Sequence, residues 1–557
     1  MQPTADSPNF FDSDGNLQRA LARALGPGFE SWRGTLSDFG AWVATEVDPA
    51  ASYTDRHAPP ILETYAPDGS LANRIRQNPG WEAVSREAYR RGLVGFNYGG
   101  APAPFLLTFA MGYLLSQGDV SLHCPVTMTG AVAYILSRHG PPAVRERYLP
   151  RLTRTDGAAL TGGTWATEQH GGSDIGGTTT VARPEGDHHR LTGLKWFASN
   201  ANGGLALATA RPEGAGPGTK GLGLYLVPLT LEDGTENPLR LRRLKDKLGT
   251  SGIPTAEIDL IDSWAVEVAP PPEGFKLMMA ALGFSRIHNA MGSAGLQRRA
   301  FVEAYNYAAG RRAFGDAILH YPMIQEQLAE MLARLEAGLA LAMEAARAFD
   351  AADQAGAAED DEHRLWLRLA TALAKYQTAE EANRACRSAI EIIGGNGYTY
   401  DHVTPRLLRD AQVMTVWEGP ANIQALELLR LVAGRYGGAE VFATRIESLL
   451  ADLPPGLEEI AAPVRAALTD GRAIIAHLHK DVVDAQRHAL RLLALLADIL
   501  AAALLLQEAR AALLEGDERK SLVARLFVES HFSAAPRGNL PERDWLYRQF
   551  EELTKAP

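Results

Sequence analysis

The sequence predicts a mostly helical α+β protein with four successive regions: helical, strand-rich, helical and helical. Hydrophobic periodicity carries the prediction. It is helical between residues 81 and 155, gives way to short apolar runs from about 157 to 268, and becomes helical again from 273 onward. With 557 residues, 46% of them hydrophobic and 22% charged, the chain can bury large cores without disulfides or structural metal ions.

The first region, residues 1–156, combines a proline-interrupted segment with helices. We expect a loose start and then helix up to about residue 50. Ala58-Pro59-Pro60 and Asn78-Pro79-Gly80-Trp81 interrupt the next segment, which should therefore wrap over a surface. Helical spacing follows as far as the stop signal His139-Gly140-Pro141-Pro142.

The second region, residues 157–270, predicts a small all-β domain. The apolar runs Leu205–Thr209 and Leu222–Val227 are separated by clusters of Gly, Pro, Asp and Asn. A G-x-G-x-x-G pattern covers residues 216–221, but a strand rather than a helix follows it and a proline sits in the loop. This pattern therefore predicts a β-hairpin connection and not a dinucleotide-binding loop.

The last two regions, residues 271–436 and 437–557, predict long helices. Between residues 322 and 350 apolar side chains recur at three and four spacing, which is typical of an amphipathic helix. The most apolar stretch, Leu492–Leu506, contains Asp498. At about 15 residues we expect it to be a buried bundle helix, too short and too charged to span a membrane.

Charge and composition narrow the function classes. The net charge is 55 − 66 = −11, which argues against a generally basic nucleic-acid surface. The start shows no secretory signal, and Cys124 and Cys386 are far apart, so a reduced cytoplasmic location is the default expectation. The pairs His188-His189 and His477-x-His479 lack ligands at metal spacing, so no metal site is predicted.

Five motifs carry candidate chemistry, and four of them also have a purely structural explanation. They are a hydroxyl-rich turn at residues 165–174, two aromatics and a hydroxyl at 195–199, an arginine pair at 311–315, a glycine-rich helix break at 393–398, and Glu418 before a helix that Pro420 begins and that runs to about Val432. The structural alternatives are a polar turn, core aromatics, arginines at a helix C-terminus and a helix-capping carboxylate.

In this order and at these spacings the motifs resemble the acyl-CoA dehydrogenase family, from about residue 90 to 435. Within the family the chain is most similar to the AidB branch, the flavoprotein of the adaptive response to alkylation damage. That likeness depends on Cys124-Pro125-Val126-Thr127-Met128-Thr129, Gln169-x-Gly171-Gly172-Ser173-Asp174, Leu244-Lys245-Asp246-Lys247-Leu248-Gly249 and Trp417-Glu418-Gly419-x-x-Asn422. The resemblance implies an N-terminal helical domain, a β-barrel-like domain, a C-terminal four-helix bundle and an extra C-terminal helical domain.

The resemblance further implies non-covalent FAD, a homodimer or homotetramer, and a set of site residues. Glu418 matches the catalytic glutamate and Arg286 an arginine near it. Arg311 and Phe314 match a pair that reaches FAD across a subunit interface. The cofactor positions are Ala166, Thr167, Gly172, Ser173, Phe197, Ser199, Arg311, Phe314, Glu391, Gly394, Gly395, Trp417, Gly419 and Asn422. Pro322, Glu391, Pro420 and Asn422 depart from the family pattern, and Trp417 would narrow the acyl cavity.

These residues predict α,β-desaturation of an acyl-CoA or acyl-carrier thioester, with an electron-accepting flavoprotein or another acceptor. Glu418 would take the α-proton and FAD the β-hydride, and the Glu418 backbone N–H would donate to the thioester oxygen. Burial beside Trp417 would favour the protonated carboxyl and the helix N-terminus the carboxylate, and we expect burial to prevail once substrate excludes water.

Two other functions are open. One is an AidB-like DNA-binding protein with a secondary flavin site. Residues 441–557 carry 14 Lys+Arg and 17 Asp+Glu, a net charge of −3, which disfavours a basic DNA-binding stripe there. The other is a flavin oxidase of nitroalkane type, which Glu418 argues against because that chemistry uses an aspartate base.

Overall fold

The structure, a computed structural model, describes residues 8–356, 361–434, 436–478, 482–532 and 544–555. His479 of the second histidine pair lies outside these residues. The chain divides into two units, one formed by residues 1–45, 105–117 and 289–557 and the other by residues 46–104 and 118–288. This division differs from the four predicted domains, whose boundaries stay a prediction.

The N-terminal region is helical, with one hairpin that the sequence analysis missed. Its elements are α1 (Gly15–Leu25), α2 (Phe29–Trp42), α3 (Asp48–His57), β1 (Ile61–Tyr65), β2 (Leu71–Arg76), α4 (Pro79–Arg90), α5 (Phe105–Gly118), α6 (Val120–His139) and α7 (Pro142–Leu152). The antiparallel pair β1–β2 turns at Asp68-Gly69, where Gly69 has φ 84°. An Asp-Gly pair between two alternating runs is a hairpin signal that could have found it.

The strand region contains β3 (Gly162–Trp165), β4 (Val181–Glu185), β5 (His188–Ser199), β6 (Leu205–Pro212), β7 (Gly223–Pro228), β8 (Leu239–Leu244) and β9 (Thr255–Ala269). The pairings run β6–β4–β5–β9–β7 and close again on β6, while β3 extends from β6 and β8 from β9. This closed ring of five strands confirms the barrel-like prediction. The residue 216–221 pattern connects the antiparallel neighbours β6 and β7, as predicted.

Helices return after the strands, with a small hairpin between the first two. The elements are α8 (Glu273–Gly310), β10 (Arg312–Ala313), β11 (Asp316–Ala317), α9 (Pro322–Ala355), α10 (Glu362–Ile393), α11 (Thr404–Met414), α12 (Ala421–Val432), α13 (Gly438–Leu449), α14 (Pro455–Leu478), α15 (Val482–Leu514), α16 (Arg519–Phe532), α17 (Asp544–Arg548) and α18 (Phe550–Leu553). Two predictions need correction. Arg311 follows the helix α8 rather than ending it, and Pro420 is the N-cap of α12 rather than its first residue.

The apolar stretch Leu492–Leu506 belongs to a helix of 33 residues, so the prediction that it is too short to span a membrane was wrong. Helical spacing continues through the more polar flanks, which the apolar stretch alone did not reveal. By length and composition Val120–His139 and Val483–Leu514 could each cross a membrane, but 94% and 72% of their most apolar windows are buried inside the protein. Core helices of soluble proteins have the same length and apolar composition, so these two properties are weak evidence for a membrane span.

Candidate functional site

The predicted site residues divide between the two units, and each group is described within its own unit. The first group lies at the end of β3, in the hydroxyl turn, residues 165–174. Ala166 is buried, Thr167 is half-buried, and Gly172 and Ser173 are exposed. A Cβ on Gly172 would lie 2.7 Å from Thr167 Oγ1, so only glycine lets the turn close this tightly beneath the hydroxyl.

A buried ion pair anchors the hydroxyl turn. Glu168 Oε1 lies 2.9 Å from Lys195 Nζ, and both side chains are almost fully buried. The same carboxylate accepts hydrogen bonds from the backbone N–H and hydroxyl groups of Thr179 and Thr180. Burial alone would raise the pKa of Glu168, but Lys195 and these donors lower it to about 2. Sequence reasoning missed this pair because its members are 27 residues apart.

The predicted aromatic and hydroxyl contacts lie beside this turn at the end of β5. The backbone N–H of Trp196 donates to Thr167 O at 2.9 Å, which joins β5 to the hydroxyl turn. Phe197 is 54% exposed, and Ser199 is half-buried with its hydroxyl 3.0 Å from Thr255 Oγ1. The structure therefore brings Thr167, Phe197 and Ser199 together at one exposed edge of the strand region.

The second group surrounds Glu418, in the glutamate loop, residues 415–420. Glu418 is half-buried and has φ 60°, and Gly419 follows with φ 96°. The buried Gln424 amide donates to Gly419 O at 2.9 Å and to Glu418 O at 3.3 Å, which fixes the turn. A positive φ at a residue other than glycine costs energy, and such strained residues cluster at functional sites. The conformation of Glu418 therefore indicates a functional role for its carboxylate.

Side chains from α8 and α10 hold the helix that leads into the glutamate loop. Asn289 Nδ2 donates to Met414 O at 3.1 Å, Asn383 Nδ2 to Ala411 O at 2.9 Å, and the buried Lys375 Nζ to Thr415 O at 3.4 Å. These donors satisfy carbonyls at the C-terminal end of α11 that have no partner within the helix. They fix the start of the glutamate loop, and their sequence contained no signal for this role.

The arginine pair and the glycine-rich break meet at Tyr307, near the end of α8. Tyr307 O accepts from the Arg311 N–H at 2.8 Å, and Tyr307 OH accepts from Asn396 Nδ2 at 3.2 Å. Arg311, Gly394 and Gly395 are exposed, and Phe314 is 97% exposed. The structure thus places the two motifs assigned to an interface in one exposed neighbourhood of this unit.

Three predicted residues remain to be located. Arg286 is half-buried within α8. Glu391 is exposed on α10 with Arg387 Nε 3.5 Å away, and Asn422 is exposed in the first turn of α12. Within the described residues no group of three or more His, Cys, Asp or Glu could hold a metal ion. Cys124 is half-buried and Cys386 is buried, and within the described residues neither forms a disulfide.

Family models and relatives agree with this architecture. Residues 163–263 match the middle domain of acyl-CoA dehydrogenases, residues 272–432 their C-terminal domain, and residues 1–156 the N-terminal domain of the adaptive response protein AidB. The putative acyl-CoA dehydrogenase AidB of Escherichia coli strain K12 is 31% identical over 444 residues, 78% of this chain and 79% of that protein.

The chain belongs to the acyl-CoA dehydrogenase family. Acyl-CoA dehydrogenase family member 11 of Caenorhabditis elegans is 33% identical over 80% of this chain and 74% of its own length. The crystal structure of Caenorhabditis elegans ACDH-11 in complex with C11-CoA superimposes with a TM-score of 0.88 at 28% identity, covering 96% of this chain and 93% of that one. A second structure, Bd2924 in its apo form, has a TM-score of 0.79 at 28% identity over 90% of this chain and 99% of that one.

Membership of the acyl-CoA dehydrogenase family confirms the predicted fold, the AidB-like branch and the class of FAD-dependent oxidoreductase. The residues fit FAD. An exposed aromatic ring, Phe197, lies beside the hydroxyls of Thr167 and Ser199, which suits a flat heterocycle with polar edges. In the other unit, the buried Trp417 indole N–H has no hydrogen-bond acceptor among the described residues, so it can donate to a bound group. The individual roles of these residues stay predictions.

Proposed function

We propose that the protein oxidises an acyl thioester between C2 and C3, with Glu418 as the base. FAD, when bound, supplies the acceptor for the hydride from C3. Glu418 removes the proton from C2, which the neighbouring thioester carbonyl makes acidic, and holds it on its carboxyl. Family membership supports the reaction class, and the position of Glu418 supports this residue as base.

The observation that carries the proposal is the strained backbone of Glu418. Its φ of 60° is maintained by Gln424, and the preceding turn by Asn289 and Lys375. Donors from three helices thus fix the backbone that carries this carboxylate, which favours its orientation at a cost in stability. A carboxylate that only capped α12 would not require this backbone conformation.

The proposed substrate is a CoA thioester with a short, branched or unusual acyl group. The Caenorhabditis elegans relative was solved with C11-CoA, which supports a CoA thioester as the class. Trp417 stands immediately before the base and, as a large indole, would narrow the space for the acyl chain. Another flavoprotein is the electron acceptor we propose.

Glu418→Gln tests the base. The variant keeps the size of the side chain but cannot accept the proton, so reduction by substrate should fall by about 100- to 10,000-fold, the usual contribution of a general base. The measurement is anaerobic bleaching of the flavin spectrum with a panel of acyl-CoAs. The exposed Glu440→Gln is the matched control and should bleach like the unchanged protein. Bleaching of Glu418→Gln at an undiminished rate, with FAD bound, would remove this residue from the role.

We also propose that the protein forms a homodimer or homotetramer and that it is located in the cytoplasm. DNA binding is not proposed, because residues 441–557 carry a net charge of 14 − 17 = −3. The exposed Phe314 and Arg311 support an interface near the glycine-rich break.

A further inference from the structure

The Lys245-Asp246-Lys247 segment follows β8, and the proposed reaction assigns it no role. The backbone N–H of Lys245 donates to Thr255 O at 2.8 Å, which continues the pairing with β9. The side chain of Lys245 is only 10% exposed, and its Nζ lies 2.6 Å from Glu257 Oε1. An ammonium group this deeply buried is costly unless its surroundings compensate for the loss of water.

Two aromatic rings form the rest of those surroundings. Lys245 Nζ lies 3.6 Å from the centre of the Trp196 ring and 4.7 Å from the centre of the Phe197 ring. At these distances a cation is attracted to the electron-rich face of an aromatic ring. Phe197 is 54% exposed and is the predicted contact to the flavin ring, so the ammonium lies against the same ring that the flavin is predicted to contact.

Two β-bulges create this arrangement around Glu257. On β5 the pairing with β9 passes from Lys195 opposite Ile258 to Ala198 opposite Ala256, so Trp196 and Phe197 together face one residue. Consecutive strand residues normally point to opposite faces, and the bulge re-aims them so that both rings reach the same ammonium.

The second bulge supplies a second cation. β8 carries one extra residue between Leu241 and Arg243 in its pairing with β9. Arg243 Nη2 then reaches Glu257 Oε1 at 2.7 Å, but its side chain is 64% exposed. One carboxylate therefore faces two cations, an exposed one that water screens and a buried one, Lys245, that water screens far less.

We propose that Lys245 is a positioning residue for the flavin reaction, which holds Phe197 in place and raises the reduction potential of FAD bound against that ring. The inference rests on the proposed function, because it requires FAD at Phe197. Reduction adds two electrons to the flavin, and a nearby cation of low exposure stabilises the added negative charge. Glu257 fixes the ammonium, whereas the charge of Arg243 is exposed and screened by water.

The test is the midpoint potential of the bound flavin in Lys245→Met, measured by equilibration with reference dyes. This variant keeps most of the length of the unbranched side chain and removes its charge. We expect a lower potential, seen as a several-fold smaller ratio of reduced to oxidised flavin at one fixed potential. Lys245→Arg should restore the ratio. Arg243→Met removes an exposed positive charge that also pairs with Glu257, and it should leave the ratio nearly unchanged.

The outcomes separate the two proposals. If Lys245→Met binds FAD with an unchanged potential, the role of Lys245 is overturned and the dehydrogenase proposal stands. An equal fall in Arg243→Met would also overturn it, since the effect would then be one of overall charge. Lys245→Gln replaces the Met variant if that protein does not retain FAD. An unchanged protein that cannot be reconstituted with FAD would overturn both proposals.

Discussion

At the scale of a single residue, Asp498 shows how the surroundings of a carboxyl decide its charge. In the sequence it is the acid inside an apolar run, but in α15 it lies among buried groups with Gln377 Nε2 3.0 Å from its Oδ1. Burial, followed by the charge of Glu381, raises the pKa of Asp498 to about 7, although Arg334 and Gln377 oppose the shift. At neutral pH this side chain is therefore partly protonated.

Asp498→Asn should make the protein more stable at pH 8 and leave it nearly unchanged at pH 4. The native carboxyl binds its proton more tightly than the unfolded one, whose pKa is near 3.8, so stability is lost as pH rises from about 4 to 7. Asparagine removes this loss, on the order of 1–3 kcal/mol, and still accepts from Gln377. Thermal unfolding at both pH values measures it, with the exposed Asp470→Asn as control. An equal shift at both values would contradict the assignment.

At the scale of elements, buried charges join the C-terminal helices of residues 437–557 to the rest of their unit. Lys520 on α16 is fully buried, and its Nζ lies 2.6 Å from Glu336 on α9, from Glu508 on α15 and from Asn16 on α1. Arg519 also bonds to Glu336. Although burial opposes it, these two cations lower the pKa of Glu336 to about 2. One network thus fixes four helices whose residues are up to 504 positions apart.

Lys520→Met should destabilise the unit by about 3–5 kcal/mol, because it leaves two carboxylates facing each other's charge with one cation fewer. The measurement is the denaturant or temperature midpoint of unfolding, followed by far-ultraviolet circular dichroism. Lys555→Met is the matched control, since the Lys555 side chain is 71% exposed and pairs only at the surface with Glu552. A midpoint equal to that of the control would show that the network contributes no net stability.

At the scale of the whole molecule, the most exposed apolar side chains suggest where a second copy binds. Where the arginine pair and the glycine-rich break meet, Phe314 is 97% exposed and Tyr398 is 81% exposed. Phe314 has φ 54°, and Tyr321 OH donates to the carbonyls of Ala313 and Phe314 at 2.8 and 3.0 Å, so the exposed ring is held in place. A large apolar side chain fixed in water is typical of an interface anchor.

Phe314→Asp should therefore reduce the size of the oligomer and lower its FAD content, because a charge at the centre of an interface is not compensated. Light scattering coupled to gel filtration gives the mass, and the visible spectrum gives the flavin content. Leu514→Asp is the control, since Leu514 is 87% exposed at the end of a different helix. If Phe314→Asp keeps the mass of the unchanged protein, the interface lies elsewhere.

Sequence reasoning succeeded where the signal is local. The helix stop at His139, the strand region, the hairpin at residues 216–221 and the position of Glu418 before a helix were all predictable from periodicity and turn residues. The hairpin β1–β2 was missed because the prolines at both ends indicated an irregular segment despite its Asp-Gly turn. The hairpin at Arg312–Ala317 was missed because strands of two residues are too short to show periodicity. The length of α15 was missed because only its apolar part was counted.

By itself the sequence determined the family, the cofactor, the mostly helical fold with its barrel-like insert, and the residues proposed as base and flavin contacts, because neighbouring residues set turn chemistry and motif spacing. Only the tertiary structure decided how those residues are held. Three features each join distant parts of the chain, 27 to 125 positions apart: the pairing of Glu168 with Lys195, the support of the glutamate loop by Asn289 and Lys375, and the ammonium against Phe197, which bulges in strand register position. Such contacts depend on packing and register, which no local pattern encodes.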